Sequence, residues 1–123
     1  MLHGERTDQI IGAAIEVHRY WGPGLYEEIY QKSLCQEFRL RGIPFGADAR
    51  LPLLYKGVRV GDDRRPDIIV GKEVVVELEA VAQLLPVHEA QLLAYLKLSG
   101  YRVGLLINFN VPVLRDGIIR RVL

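Results

Sequence analysis

The run "YRVGLLINF", Tyr101 to Phe109, is the feature that most limits the folds open to this chain. Apolar residues occupy it almost without interruption. This is typical of a strand buried on both faces, not of a strand that alternates between core and solvent. A sheet with such a strand needs other elements packed over both of its faces. The sequence therefore predicts an α/β fold in which this segment is a central strand.

Helical and strand-like segments surround this run. Apolar spacing and glycine or proline stops predict helices over residues 7–20, 26–41 and 87–99. Strands are predicted over residues 45–55, 58–61, 67–70 and 73–79, with "KG" and "GK" as hairpin turns and "GIIRRVL" as an edge strand. We therefore expect a mixed β-sheet flanked by α-helices.

Length and composition restrict the class of protein. A chain of 123 residues predicts one domain, residues 1–123. The single cysteine, Cys35, excludes an internal disulfide and favours the cytoplasm. The first residues do not resemble a signal peptide, and no apolar run is long enough for a membrane helix, so we expect no membrane partner. A net charge of +1 gives no bulk electrostatic attraction to nucleic acid.

Two acidic residues end the apolar strand "VVVELE". Glu77 and Glu79 are two positions apart and share one face of the strand. If the "GK" turn forms a hairpin, Asp67 lies opposite Val76 or Glu77. Carboxylates that meet across a strand pair repel each other, and a hard divalent cation with oxygen ligands would relieve that repulsion. The alternative is an open sheet end where both acids are solvated.

The helix that follows carries a polar stripe. His88, Gln91 and Tyr95 are spaced i, i+3, i+7 and lie on one face. Such a stripe can simply face solvent, and Tyr95 can be a core aromatic. Its position directly after the acidic strand instead favours a place beside the carboxylates.

Four motifs, taken in order, resemble the PD-(D/E)xK nuclease superfamily. "RPD" at 65–67 and "ELE" at 77–79 are similar to its Asp…Glu-x-Lys signature. "QLLAY" at 91–95 matches the Gln-x-x-x-Tyr motif of the RecB-like branch. "GLYEEIY" at 24–30 fits Gly-x-x-Glu-x-x-Tyr, which defines the GxxExxY family of small bacterial proteins. The resemblance extends from about Thr7 to Leu123.

This resemblance implies a restriction-endonuclease-like core and metal-assisted hydrolysis of phosphodiester bonds in nucleic acid. Asp67 and Glu77 would ligate Mg²⁺ or Mn²⁺, joined by the carbonyl of residue 78. Glu27 would add a carboxylate to the metal shell or hold a metal-bound water. The ion would lower the pKa of water and neutralise charge on the phosphate.

Two residues of the helix stripe complete the implied site. Gln91 and Tyr95 would line the cleft and orient phosphate or water. For Tyr30, which ends the "GLYEEIY" motif, we expect a structural role, because it lies on the apolar stripe of its helix. The candidate catalytic residues are Glu27, Asp67, Glu77, Glu79, Gln91 and Tyr95.

Glu79 departs from the family pattern, which has lysine at that position. Opposite a phosphate at ~4 Å, the exchange turns attraction into repulsion of several kcal/mol. None of the chain's lysines is placed by the sequence to substitute for the missing one. The acid can enrich a metal site that recruits a second ion, or mark a degenerate module that binds nucleic acid, metal or protein without cleavage. It can also pair with an arginine (Arg64, Arg65 or Arg102). A homodimer, through an edge strand or the first helices, is left open.

Overall fold

A five-stranded mixed sheet organises the protein, which a computed structural model describes over residues 1–123. The helices are α1 (Gly4–Trp21), α2 (Glu27–Arg41) and α3 (Pro86–Ser99), and a 3₁₀ turn spans Leu114–Gly117. The strands are β1 (Phe45–Gly46), β2 (Leu51–Tyr55), β3 (Val58–Arg64), β4 (Ile68–Val70), β5 (Val74–Glu79), β6 (Val103–Asn108) and β7 (Ile118–Val122). The sheet order is β1-β4-β5-β6-β7, and only β5 and β6 run parallel. The expected mixed α/β architecture is confirmed.

Strand β6 is central, as its apolar sequence predicts. All six of its residues are buried. Side chains of β5 and β6 that point to one face, among them Val76 and Leu105, join the core formed with α1 and α2. Those that point to the other face, among them Val75 and Leu106, pack with α3 and β2. The sheet is thus covered on both sides, and Glu77 shares the alternation of Val75 on the α3 side.

The β4–β5 hairpin has the register that places two acids opposite each other. Ile68 pairs with Val76, and the next pair toward the open end is Asp67 with Glu77. Gly71 and Lys72, in the turn, have φ angles of 61° and 54°. Positive φ at both central residues is typical of a type I′ turn, and the Glu73 amide closes it on the Val70 carbonyl at 3.0 Å. Val70 nevertheless pairs with Val74, so the loop has one residue more than a two-residue hairpin. This extra residue places Asp67 opposite Glu77 and not opposite Val76.

The segment predicted as one strand over residues 45–55 is two strands in two sheets, so that prediction was wrong. Phe45 pairs with Val70 at the edge of the main sheet. Leu51 is buried against the α3 side of the core. The chain must leave the sheet edge to bury Leu51, and β2 then pairs with β3 in a separate two-stranded sheet.

The buried face of helix α2 consists of Tyr30, Leu34 and Phe38 at four-residue spacing, which leaves Ile29 39% exposed. Cys35, a small apolar side chain, is buried as well. None of the three helices has both the length and the apolar character that crossing a bilayer requires.

Helix α3 packs closely on β6 because Gly104 has no side chain. A Cβ at that position would lie 2.7 Å from Cδ1 of Leu92, which is fully buried.

We expect Gly104→Ala to lower the free energy of unfolding by about 1–3 kcal/mol, since a buried leucine must move. Urea denaturation measures this. In contrast, Gly12→Ala in α1 meets only the Arg41 side chain at 3.4 Å and should stabilise by about 0.5–1 kcal/mol. Equal effects of both substitutions would contradict the close packing.

Candidate functional site

Four carboxyl groups gather where β5 ends. Asp67 precedes β4, Glu77 and Glu79 lie on β5, and Glu27 begins α2. The charge of Asp67 raises the pKa of each of the other three acids. Residues from three separate parts of the chain therefore form one electrostatically coupled cluster.

Asp67 and Glu77 hold each other through reciprocal bonds to the backbone. The Asp67 amide donates to Oε1 of Glu77 at 2.8 Å, and the Leu78 amide donates to Oδ2 of Asp67, also at 2.8 Å. Each carboxylate thus uses one oxygen to fix the end of the hairpin. The other oxygens, Oε2 of Glu77 and Oδ1 of Asp67, are not used in these two bonds.

A main-chain carbonyl has the direction needed to join these carboxylates. In a β-strand, the N–H and C=O of one residue point to the same edge and alternate from residue to residue. The amide of Leu78 points toward Asp67, so its carbonyl points to that side too. The neighbouring carbonyl, that of Glu79, accepts from the Phe109 amide on the opposite edge.

Helix α2 contributes two side chains to the cluster. Glu27 and Gln31 are one turn apart and share a face of the helix. The Glu27 carboxyl lies close enough to the Asp67 carboxyl that Asp67 raises its pKa. Gln31 donates from Nε2 to the main-chain oxygen of Asp67 at 3.0 Å. The first turn of α2 is therefore fastened to the residue that opens β4.

Every acid of the cluster has a raised pKa. Burial, and then the charge of Asp67, raise the pKa of Glu77 to about 9. Burial, and then the charges of Asp67 and Glu79, raise the pKa of Glu27 to about 7. Burial also raises the pKa of Asp67 above its ordinary value, although the Leu78 amide opposes this. For Glu79, burial raises the pKa and His88 opposes the rise.

This concentration of acids fits a cation chemically. No lysine or arginine forms an ion pair with any of the four acids, so no such side chain offsets their negative charge by direct contact. Carboxylate and carbonyl oxygens are the ligands that Mg²⁺ and Mn²⁺ prefer. No group of three or more acidic, histidine or cysteine side chains is arranged as a ready-made metal site. The donor set that fits an ion is two carboxylates and a main-chain carbonyl.

The polar stripe of α3 forms a second group. Tyr95 is buried, and its hydroxyl oxygen accepts from Nε2 of Gln91 at 2.8 Å and from Nη2 of Arg64 at 3.2 Å. The guanidinium of Arg64 also lies 5.4 Å from the centre of the Tyr95 ring. Tyr95 is thus both a core aromatic and a polar group, and its hydroxyl hydrogen is not used by either of these bonds.

His88 lies between the two groups. It is on the same helix face as Gln91, and its imidazole acts on the pKa of Glu79. Nδ1 of His88 accepts from the Leu85 amide at 2.8 Å, and Nε2 takes no part in that bond. The structure therefore gathers the four predicted acids in one cluster and Gln91 with Tyr95 in another, with His88 and Glu79 connecting them.

Two of the three arginines considered as partners for Glu79 are hydrogen-bonded elsewhere. Arg64 donates to Tyr95, and Arg102 donates to the main-chain oxygen of Leu123. Among the lysines, Lys32 pairs at 2.7 Å with Glu28 on the exposed side of α2. The side chain that acts on Glu79 is instead His88.

Several supporting residues were not found from the sequence. Gln31 could have been found, because it follows Glu27 by one helical turn. Asn108 is 2% exposed and bonds to the amide and carbonyl of Val81, just after β5. No local pattern distinguishes it from a solvated asparagine at a strand end. Arg64 could be assigned only once its contact with Tyr95 was known.

Tyr30 has the structural role expected for it. Its buried hydroxyl donates to the Gly22 carbonyl at 2.6 Å and accepts from the Leu25 amide at 3.1 Å. Its ring stacks on Phe109 at 4.6 Å. These contacts brace the turn that leads into Glu27.

Comparison with known families points to one superfamily. A family model described as the PD-(D/E)XK nuclease superfamily matches residues 4–122. No curated protein and no solved structure gives a significant match. The mixed sheet between helices is consistent with the restriction-endonuclease-like fold that the sequence resemblance implies.

The buried acid pair predicts how stability varies with pH. Without metal, folding keeps a proton on Glu77 between its ordinary pKa of 4.5 and about 9. The folded state then binds more protons than the unfolded chain, so the free energy of unfolding falls as pH rises through this window. Glu77→Gln keeps an oxygen for the Asp67 amide and removes the charge. We expect the variant to be more stable at pH 7 by about 2 kcal/mol, with a flatter pH profile.

Urea denaturation at several pH values, with a chelator present, tests this expectation. Glu28→Gln is the matched control, since Glu28 is adjacent to Glu27 but fully exposed. The control should keep the wild-type loss of stability with rising pH. A Glu77→Gln profile as steep as that of the wild type would contradict the assignment.

Proposed function

The chain belongs to the PD-(D/E)XK nuclease superfamily, and on that premise we propose that it hydrolyses phosphodiester bonds of nucleic acid with Mg²⁺ or Mn²⁺ held by Asp67 and Glu77. One observation carries the proposal. The two carboxylates are locked across the hairpin by reciprocal backbone bonds, and each keeps an oxygen outside those bonds. Burying two carboxylates without a counter-charge is strongly unfavourable in free energy. A cation bound in the site would offset this cost and would explain why the pair is there.

The proposed chemistry divides the work among a few groups. Asp67, Glu77 and the Leu78 carbonyl would hold the ion. When bound, the ion supplies positive charge for the phosphate and lowers the pKa of water. Glu27, with a pKa of about 7, holds or releases a proton near neutrality, so its carboxyl can accept the proton of the attacking water.

The polar group on α3, formed by Gln91 and Tyr95, would position the substrate. The Tyr95 oxygen already accepts from Gln91 and Arg64, so its own hydrogen is free to donate to a phosphate oxygen. The His88 imidazole lies close enough to Glu79 to act on its pKa. Both groups lie on α3 and are held by the packing of that helix on the sheet.

We also assign the chain to the GxxExxY proteins of the RecB-like branch. The bond from the Leu25 amide to the Tyr30 hydroxyl, which braces the turn before Glu27, and the Gln91–Tyr95 hydrogen bond support that assignment. The length of the chain supports one nuclease-like domain over residues 1–123, and the single cysteine supports a cytoplasmic location. The exposed edges of β3 and β7 support a homodimer through an edge strand.

A second candidate function is a nuclease-fold module that binds nucleic acid, metal or protein without cutting. Glu79 favours it, because a carboxylate stands where the superfamily pattern has lysine and would repel a phosphate. In this alternative the acid cluster still binds a cation, but no group supplies the missing positive charge at that position.

The first test concerns the metal. We expect Asp67→Asn to lower Mn²⁺ affinity by at least about tenfold, because it removes a charged ligand, and to abolish cleavage of labelled DNA and RNA. Isothermal titration calorimetry measures the affinity, and gel electrophoresis measures cleavage. Glu28→Gln, which removes an exposed acid next to Glu27, should leave both unchanged. Mn²⁺ binding by the wild type that survives Asp67→Asn and Glu77→Gln would refute the metal site.

The second test separates the two candidate functions. If the wild type cuts with its acid-rich site, Glu79→Lys places an ammonium beside the ion and should weaken Mn²⁺ binding about tenfold or more, without raising the cleavage rate. If the wild type does not cut and Glu79→Lys creates cleavage that Asp67→Asn abolishes, the module is a degenerate nuclease. The readouts are the same calorimetric and gel measurements.

A further inference from the structure

One cationic side chain, that of Arg64, has no role in the proposal so far, although it contacts Tyr95 of the substrate-positioning group. Arg64 ends β3, three residues before Asp67, and it is exposed. Three residues span at most about 10 Å, so the two Cα atoms cannot be far apart. Pro66, between them, is buried and restricts that link. The end of the β2–β3 hairpin is therefore joined by a short, restricted link to the segment that carries Asp67.

Tyr95 sets the position of this charge. The guanidinium donates to the Tyr95 hydroxyl at 3.2 Å and lies 5.4 Å from the ring centre. These contacts use one face of the group and one of its five N–H donors. The remaining donors form no other side-chain bond, and a planar fork of this kind matches two oxygens of a phosphate.

Arg64 forms no ion pair with the carboxylates; its side-chain bond is to the Tyr95 hydroxyl. A cation paired with the acids would compete with a metal ion, whereas one held by a neutral hydroxyl is available to an anion.

We propose that Arg64, placed by Tyr95, contacts the substrate phosphate and supplies the positive charge that the superfamily pattern assigns to lysine at position 79. This inference rests on the proposed function, because it identifies the phosphate group of nucleic acid as the ligand of Arg64. It accounts for a carboxylate at Glu79 without loss of the phosphate contact, since the cation comes from a different strand.

Binding in the absence of metal tests the contact separately from catalysis. The probes are fluorescently labelled single- and double-stranded DNA, and anisotropy is followed at several salt concentrations with a chelator present. Arg64→Ala should weaken binding about tenfold and reduce the slope of log affinity against log salt by about 0.7–0.9, the change expected for one lost phosphate contact. Arg64→Lys should restore the slope, because it restores the charge, and should recover part of the affinity.

Arg59→Ala is the matched control. Arg59 lies on the same strand and is exposed, but it pairs with Asp63 at 2.6 Å. The Arg59→Ala variant should keep the wild-type slope of log affinity against log salt concentration. An unchanged slope in Arg64→Ala, an equal loss in Arg59→Ala, or no measurable binding by the wild type would overturn the inference.

Tyr95→Phe examines the placement, since it removes the hydroxyl and keeps the ring. It should lower affinity by less than Arg64→Ala and leave the salt slope unchanged, because the charge remains. A reduced slope in this variant would count against the proposal.

The proposed function and the role of Arg64 can fail independently of each other. Cleavage that depends on Asp67 but not on Arg64 refutes only the role of Arg64, whereas Arg64-dependent binding without cleavage or Mn²⁺ binding refutes only the catalytic proposal.

Discussion

The pairing of Asp67 with Glu77 is the constraint on which the rest of the site depends. Two like charges meet at the end of an antiparallel pair, and the pKa of Glu77 rises to about 9 because that end is buried. Backbone amides hold both carboxylates in place, so the hairpin cannot simply turn them out to solvent. The fold thereby maintains an arrangement whose electrostatic cost a divalent cation would offset.

The other elements act on this pair from outside the hairpin. Helix α2 brings Glu27 and Gln31 to Asp67, while Tyr30 braces the turn that aims Glu27. Helix α3 lies on the same face of the sheet as Glu77 and carries His88, which acts on the pKa of Glu79, and the hydrogen-bonded pair Gln91 and Tyr95. The small β2–β3 sheet adds Arg64, which contacts Tyr95.

Much of this could be predicted from the sequence where the pattern is local. The apolar run of β6 indicated a central strand. The "GK" turn indicated a hairpin but left Asp67 opposite either Val76 or Glu77, and the structure places it opposite Glu77. The helix period placed Gln91 and Tyr95 together, and they are hydrogen-bonded. The split of residues 45–55 could not be predicted, because Leu51 leaves the sheet to fill the core under α3. That choice depends on packing between distant segments.

The sequence by itself determined most of the elements and the acidic and polar residues of the candidate site, because periodicity and turn chemistry act over short distances. Only the tertiary structure decided that Arg64 lies on Tyr95, that Asn108 secures the segment after β5, and that His88 stands beside Glu79. Each of these contacts joins residues from different elements. Their meeting is fixed by how helices and strands pack, which no local pattern of residues records.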